Sequence, residues 1–192
     1  MKKIIGITGG IATGKSRVSA FLKSHGYEVI DADLVVRELQ AIGGRLYLAI
    51  YDTFGQTFFL ENGELDRVKL GDAIFSDEKM KERLSVIQDK IIRQELLDRC
   101  QASKADVVFM DIPLLFEKNY AGFDEIWLVY APRETQIERL MKRNKLSRVD
   151  AIKRVDSQMP IADKRALATR IIENCDTIDV LEMQLITIIN EM

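Results

Sequence analysis

Gly9-Gly10-Ile11-Ala12-Thr13-Gly14-Lys15-Ser16 fits the spacing G-x-x-x-x-G-K-[ST] and follows directly on Ile4-Ile5-Gly6-Ile7-Thr8, a short run rich in β-branched residues. Each residue type in the stretch answers a physical need. Backbone N–H groups wrap a pair of β- and γ-phosphates only where the chain turns tightly with no Cβ in the way, hence the glycines. A helix that starts inside the stretch adds its unsatisfied amino-terminal donors and the positive end of its dipole. Lys15 is placed to reach phosphate oxygens, and the Ser16 hydroxyl to meet a Mg²⁺ ion. The reading is therefore strand, phosphate-binding turn, then a helix over Lys15–Ser24.

Outward from this stretch, strand and helix signals alternate. Short apolar runs at residues 27–30, 107–110, Glu125–Tyr130 and 170–172 read as further strands, and Ile178–Asn190 as a closing helix. Apolar runs without in/out alternation are strands covered on both faces, and alternation with helices gives the same answer. The fold class is thus α/β, a parallel β-sheet flanked by helices, with ligands at the carboxyl ends of the strands. Gly9-Gly10, Asp31 with Asp33, and Asp111 fall at those ends. Residues 34–103 are mostly helical by pattern and long for one crossover, with a turn at Glu61-Asn62-Gly63 and Asp66 as N-cap of a helix over residues 67–75. One domain is expected, with a core at about residues 1–33, 104–138 and 168–192, a helical region at about 34–103 and an Arg- and Lys-rich lid at about 139–167.

Composition narrows the classes. The chain has 192 residues, 47% of them apolar, enough for one buried core. Basic and acidic side chains nearly balance at 28 and 30, and the pI of about 5.6 argues against a nucleic-acid partner. Cys100 and Cys175 have neither CxxC nor zinc-ligand spacing and read as free, partly buried thiols, and His25 as a surface residue without a chemical role. The amino-terminal apolar stretch is too short for a signal peptide, and no stretch approaches a membrane span, so a cytoplasmic protein without a membrane partner is expected.

Asp31 and Asp33 flank Ala32 and, by a two-residue period, point to one side of an extended chain. Either could cap the helix that begins near Leu34. Alternatively Asp33 orients an acceptor hydroxyl and takes its proton, which suffices for a loose phosphoryl-transfer transition state. Asp111 closes an apolar strand and could hold a water on Mg²⁺. Ile112-Pro113-Leu114-Leu115-Phe116-Glu117 follows as an apolar loop, either core packing or a contact to the apolar part of an acceptor. Gln136, Arg139, Arg143 and Arg148 lie in and after a helix starting near Pro132, with Arg139 and Arg143 on one face. Such a run is either a solvated face or a flap that neutralises the phosphates, since transfer to an alcohol rather than water requires closure. Arg139 is the first candidate for a closing arginine and Arg143 the second; Lys164 and Arg165 are weaker ones.

Taken together, residues 6–16, Asp31-Ala32-Asp33 with Arg37, Gly63-Glu64-Leu65-Asp66-Arg67, Ile74-Phe75, Asp111 through Glu117, Gln136, Arg139, Arg154, Gln158, Lys164 and Asn174 resemble the dephospho-coenzyme A kinase family over about residues 4–175. The resemblance implies ATP and 3′-dephospho-CoA as substrates and CoA and ADP as products; Mg²⁺ is expected from the phosphate-binding loop, and a monomer or weak homo-oligomer is the expected state. The resemblance also implies nucleotide contacts from Gly9, Gly10, Ile11, Ala12, Thr13, Gly14, Lys15, Ser16, Arg17, Arg143 and Asn174, the last near the adenine. Asp33 would be the proton acceptor, Arg139 a lid residue on ATP, and Asp33, Arg37, Asp111, Pro113 and Leu114 the acceptor's surroundings.

Two positions depart from the family pattern. Ala12 stands where glycine is usual, and Asp89-Lys90 where the family has His-Pro. Two other readings compete. Another small-molecule kinase would share the phosphate-binding loop, but the segments around Asp33 and Asp111 favour the CoA precursor. A GTP-dependent switch would need Asp52-Thr53-Phe54-Gly55 at a strand end and an Asp in place of Ser147 after Asn144-Lys145.

Overall fold

The computed structural model describes residues 2–192. The chain divides into two compact units, one built from the residues up to Ile30 together with Lys104–Met192, the other from Asp31–Ser103.

The first unit carries the sheet. Strands β1 (Lys3–Gly9), β2 (Glu28–Asp31), β3 (Val107–Asp111), β4 (Glu125–Tyr130) and β5 (Arg170–Glu173) lie in the order β2-β3-β1-β4-β5. β1 pairs in parallel with β3 on one side and β4 on the other, and β4 in parallel with β5. β1 is thus central, and the chain leaves its carboxyl end where the strand order reverses, the place where open α/β sheets bind ligands. The β-branched runs read from the sequence are these strands; β2 begins one residue later than expected, and β2, β3 and β5 each run one residue further.

Helices α1 (Lys15–Ser24), α6 (Arg133–Asn144), α7 (Arg148–Asp156), α8 (Ile161–Leu167) and α9 (Ile178–Asn190) belong to this unit. Val18, Phe21 and Leu22 of α1 and Leu181, Leu185 and Ile188 of α9 meet Ile5, Ile7, Phe109, Trp127, Val129 and Ile172 of the strands in one core. The spacing of these helical residues is the apolar stripe a flanking helix needs. A second, smaller core joins Ile137 and Leu140 of α6 to Ala151 and Val155 of α7. At the far end of the sheet Glu125 accepts from Trp127 Nε1 at 2.8 Å and pairs with Lys3 at 2.6 Å. The Lys3 hydrogen bond, ahead of that from Trp127, holds the Glu125 carboxyl below its usual range.

The second unit is helical: α2 (Ala32–Leu39), α3 (Arg45–Phe54), α4 (Arg67–Ser76) and the 25-residue α5 (Glu78–Ala102), against which the other three pack. Asp66 caps α4 as expected, its side chain accepting from Lys69 N at 2.9 Å, and Asp77 caps α5. Tyr47 Oη donates to Gly63 O at 2.7 Å and fixes the turn in which Gly63 takes φ 85°. Arg99 ties α5 to α2 through Glu38 at 2.6 Å, while Arg45 reaches Glu95 at 3.3 Å from α3.

Two expectations change, and one rejected alternative stays rejected. Asp31 ends β2 and its side chain accepts from Leu34 N at 3.1 Å, so α2 starts at Ala32 and Asp33 sits in a first helical turn. Asp31 and Asp33 therefore do not share the face of an extended chain. Cys100 is buried but Cys175 is exposed, because it falls in the turn between β5 and α9. Partial burial of its sulfur and then Glu173 push the Cys175 thiol up, away from reactivity. Asp52-Thr53-Phe54-Gly55 closes α3 and follows no strand, in line with the sequence argument against the switch. No helix among the described residues is long and apolar enough to cross a membrane.

Candidate active site

Gly9 ends β1 and the loop turns back on itself: Thr13 N and Oγ1 both donate to Gly10 O, at 3.3 and 2.9 Å. Gly14 takes φ 93° as N-cap of α1, a conformation L side chains rarely adopt, and a Cβ there would overlap the Asn174 amide nitrogen. Ala12 takes φ 60°. The glycine usual at this position is thus a conformational requirement, which the alanine meets at a cost of roughly 1–2 kcal/mol. No side chain caps α1 and no acid lies in its first turn. Its amino-terminal donors and dipole remain available to an anion.

Lys15 Nζ pairs with Asp111 Oδ1, and Ser19 Oγ donates to Asp111 Oδ2 at 2.6 Å. Asp111 is only 3% exposed at the end of β3, so both its oxygens are engaged where an unpaired charge would be very costly. Ser16 is exposed in the first turn of α1. Thr8 Oγ1 donates to Pro113 O at 3.1 Å and holds the loop after β3 against β1, with Leu114 exposed and Leu115 buried.

Asn174, at the end of β5, is buried and joins two candidate regions. Its Nδ2 donates to Thr13 O at 2.6 Å, and its carbonyl accepts from Arg139 Nη2 at 2.9 Å. Arg139 is half-buried and anchored; Arg143, one turn on, is exposed and donates to Asn144 Oδ1 at 2.9 Å. Arg148 pairs with Glu134 at 2.6 Å, an exposed link between α7 and α6. Arg17 N donates to Gly14 O at 2.9 Å, and the residue lines a groove of about 490 Å³ with Phe21, His25 and Leu181. Asp33 and Arg37 belong to the helical unit and are exposed, and the Asp33 side chain makes no hydrogen bond or ion pair among the described residues. Asp89, in the departing Asp89-Lys90 pair, forms an ion pair with Arg93 at 2.6 Å within α5.

A profile described as dephospho-CoA kinase matches residues 3–179. The chain belongs to the dephospho-CoA kinase family. A dephospho-CoA kinase of Lactococcus lactis is 50% identical over 205 aligned residues, covering 95% of this chain and 94% of that one. One from Streptococcus thermophilus is 52% identical over 182, covering 93% and 92%. Among solved structures, a Thermus thermophilus protein aligns over 100% of this chain and 98% of its own with a TM-score of 0.83 and 34% identity. A dephospho-CoA kinase from Campylobacter jejuni gives 0.74 and 28%, covering 100% and 97%. An Acinetobacter baumannii shikimate kinase, at 15% identity and TM-score 0.54, shares the fold alone.

For a member of the dephospho-CoA kinase family, a transferase family that uses ATP as co-substrate, the structure adds residues that motif reading did not assign to the loop. Gln158 Oε1 accepts from Ile11 N at 2.8 Å, and Gln136, buried, donates to Ala131 O at 2.9 Å. Lys164 is fully buried, with Nζ 2.8 Å from Glu117 Oε1 and 3.3 Å from Gly9 O. Lys164, a weaker candidate for the closing flap, thus lies against the loop's first peptide. The only sequence signal for Gln158 and Lys164 was their place in the family pattern; their distance in the chain from Gly9 and Ile11 hid the contact. Among the described residues no cluster of three or more His, Cys, Asp or Glu could hold a metal.

Proposed function

We propose that this chain transfers the γ-phosphoryl group of ATP to the ribose 3′-hydroxyl of 3′-dephospho-CoA, giving CoA and ADP, the last step of coenzyme A synthesis, in the cytoplasm. The observation that carries this reading is the arrangement at the end of β1. A strained, amide-lined loop opens into an uncapped helix end, with Lys15 held ready on a buried Asp111. That is an anion cradle organised before its anion arrives, so little reorganisation opposes the reaction.

Loop amides and the α1 amino terminus hold the phosphate tail, and Lys15 leaves Asp111 to meet the oxygens of the γ-phosphoryl group. Asp33, with its unpartnered carboxylate, orients the acceptor hydroxyl. The hydroxyl oxygen forms its bond to the γ-phosphorus while the bond from that phosphorus to the β–γ bridging oxygen breaks. ADP leaves with the electron pair, and the hydroxyl proton passes to Asp33. Arg139, anchored on Asn174, offsets charge over the phosphates, with Arg143 beside it, while Arg37, Pro113 and Leu114 contact the acceptor.

Oxygen donors suit Mg²⁺, and a hydroxyl with one carboxylate is the sparse set expected of an ion that keeps its waters and binds mainly to phosphates. Ser16 would hold it directly and Asp111 through a water, and when bound it supplies charge neutralisation on the phosphates. The chain acts as a monomer or weak homo-oligomer. Incubating the purified protein with Mg·ATP and dephospho-CoA, AMP, adenosine or shikimate, with mass spectrometry of the products, tests the reading. One added phosphoryl group on dephospho-CoA alone is expected. Phosphorylation of another acceptor instead would move the assignment to a different small-molecule kinase.

A further inference from the structure

Lys164 has no part in the chemistry just described, yet it is fully buried, and a buried ammonium must be paired and hydrogen-bonded to be tolerated. Its partners come from separate segments. Glu117 Oε1, in the loop after β3, lies at 2.8 Å and also accepts from Met159 N at 3.2 Å, just before α8. The carbonyl of Gly9, the last residue of β1, accepts from the same ammonium at 3.3 Å. A peptide unit is planar and trans, so fixing the Gly9 oxygen also fixes the direction of the Gly10 N–H.

The peptide groups that follow are held in turn. Gly10 O is taken by Thr13, Ile11 N by Gln158, and Thr13 O by Asn174. Lys164 is the first link of this series and the only one that carries a charge. We propose that Lys164, set by Glu117, is a positioning residue for the phosphate-binding loop, and that pinning the Gly9–Gly10 peptide gives the loop its nucleotide-ready shape. This rests on the reading of the loop as the ATP site. It differs from a merely structural ion pair in one respect: the pair's loss is felt in ATP binding even where stability is unaffected.

Two variants separate these roles. Lys164→Met removes the charge at similar volume, and Lys164→Met with Glu117→Leu also removes the carboxylate that would otherwise be stranded. Calorimetric titration with Mg·ATP, melting temperature and steady-state kinetics are measured for both. Each should bind ATP weaker by about tenfold or more and raise the KM for ATP accordingly. The KM for dephospho-CoA should stay within about twofold. The double variant, which also gives up the Met159 N and Gly9 O bonds, should still fold and melt within several degrees of the wild type, and should not recover ATP affinity. Recovery of both melting temperature and affinity, or failure of the double variant to fold, would make the pair structural and overturn the proposal. ATP titration needs no acceptor, so a wild type that binds ATP but leaves dephospho-CoA unchanged would sink the functional reading without touching this one.

Discussion

The sheet-bearing unit and the helical unit dispose of their polar and apolar groups in opposite ways. The buried polar side chains among the described residues, Thr8, Thr13, Ser19, Asp111, Gln136, Lys164 and Asn174, all belong to the sheet unit, and most of them touch the phosphate-binding loop, its flanks or Asp111. The helical unit buries only apolar residues but leaves Phe75 93% and Val68 74% exposed, and ties its helices with surface ion pairs such as Arg99 to Glu38. Satisfied buried polar groups rigidify, because a half-made network in low dielectric is costly. Surface ion pairs contribute ~0–1 kcal/mol each and allow adjustment. One unit is thus organised before any ligand arrives, and the other keeps its chemistry on the surface.

The largest effect expected from breaking that contrast is at Lys15. Lys15→Ala removes the cation paired with Asp111 and, on the proposed role, should lower kcat by about three orders of magnitude or more, the upper range for a lost electrostatic donor. Circular dichroism should still show a folded chain, and activity within tenfold of wild type would reject the role. Next comes Asp33, the exposed acid of the helical unit. Asp33→Asn should lower kcat by about two to four orders of magnitude while ATP binds as before. Because the Asp33 side chain loses only its interaction with the α2 dipole, about 0.3–1 kcal/mol, melting should fall by no more than about 2–4 °C. An unchanged kcat would leave the residue a first-turn helix acid that favours the dipole and nothing more.

The same contrast explains what was legible in the sequence. Lys15–Ser24 and Ile178–Asn190 were readable because apolar periodicity marks both helices and the phosphate-loop motif marks where the first begins. Asp66 as a cap was readable because the signal lies within three residues of the bond it makes. Asp31 and Asp33 were misread as sharing a strand face, since one Asx hydrogen bond to Leu34 N started the helix early. Gln158, Lys164 and Asn174 reach the loop from more than a hundred residues away, and no period or cap records a contact of that range. Local physics wrote the elements and the cradle; the side chains that brace the cradle come from tertiary structure.

A smaller effect isolates the helical unit's reliance on local signals. Asp66→Ala removes the α4 cap and should cost about 1 kcal/mol. For a chain this long that is about 2–4 °C in melting temperature. Lys15 chemistry belongs to the other unit, so ATP affinity should be untouched; a tenfold loss would mean the cap does more than start a helix.

The smallest expected change tests the cradle's one conformational irregularity. Ala12 holds φ 60°, and its methyl packs beside the small core of Ile137, Leu140, Ala151 and Val155. Ala12→Gly relieves the left-handed strain of roughly 1–2 kcal/mol. Against this stand the loss of one partly buried methyl, up to ~0.8 kcal/mol, and ~0.4–1 kcal/mol of extra freedom in the unfolded chain. The opposing effects nearly cancel, so melting should shift by no more than about 2–4 °C, with ATP affinity retained. Ala12→Val keeps a methyl but adds β-branching, for which positive φ is a genuine outlier, so it should weaken ATP binding where glycine does not. If valine binds ATP as well as alanine does, the left-handed turn at residue 12 is not part of how the loop holds its anion.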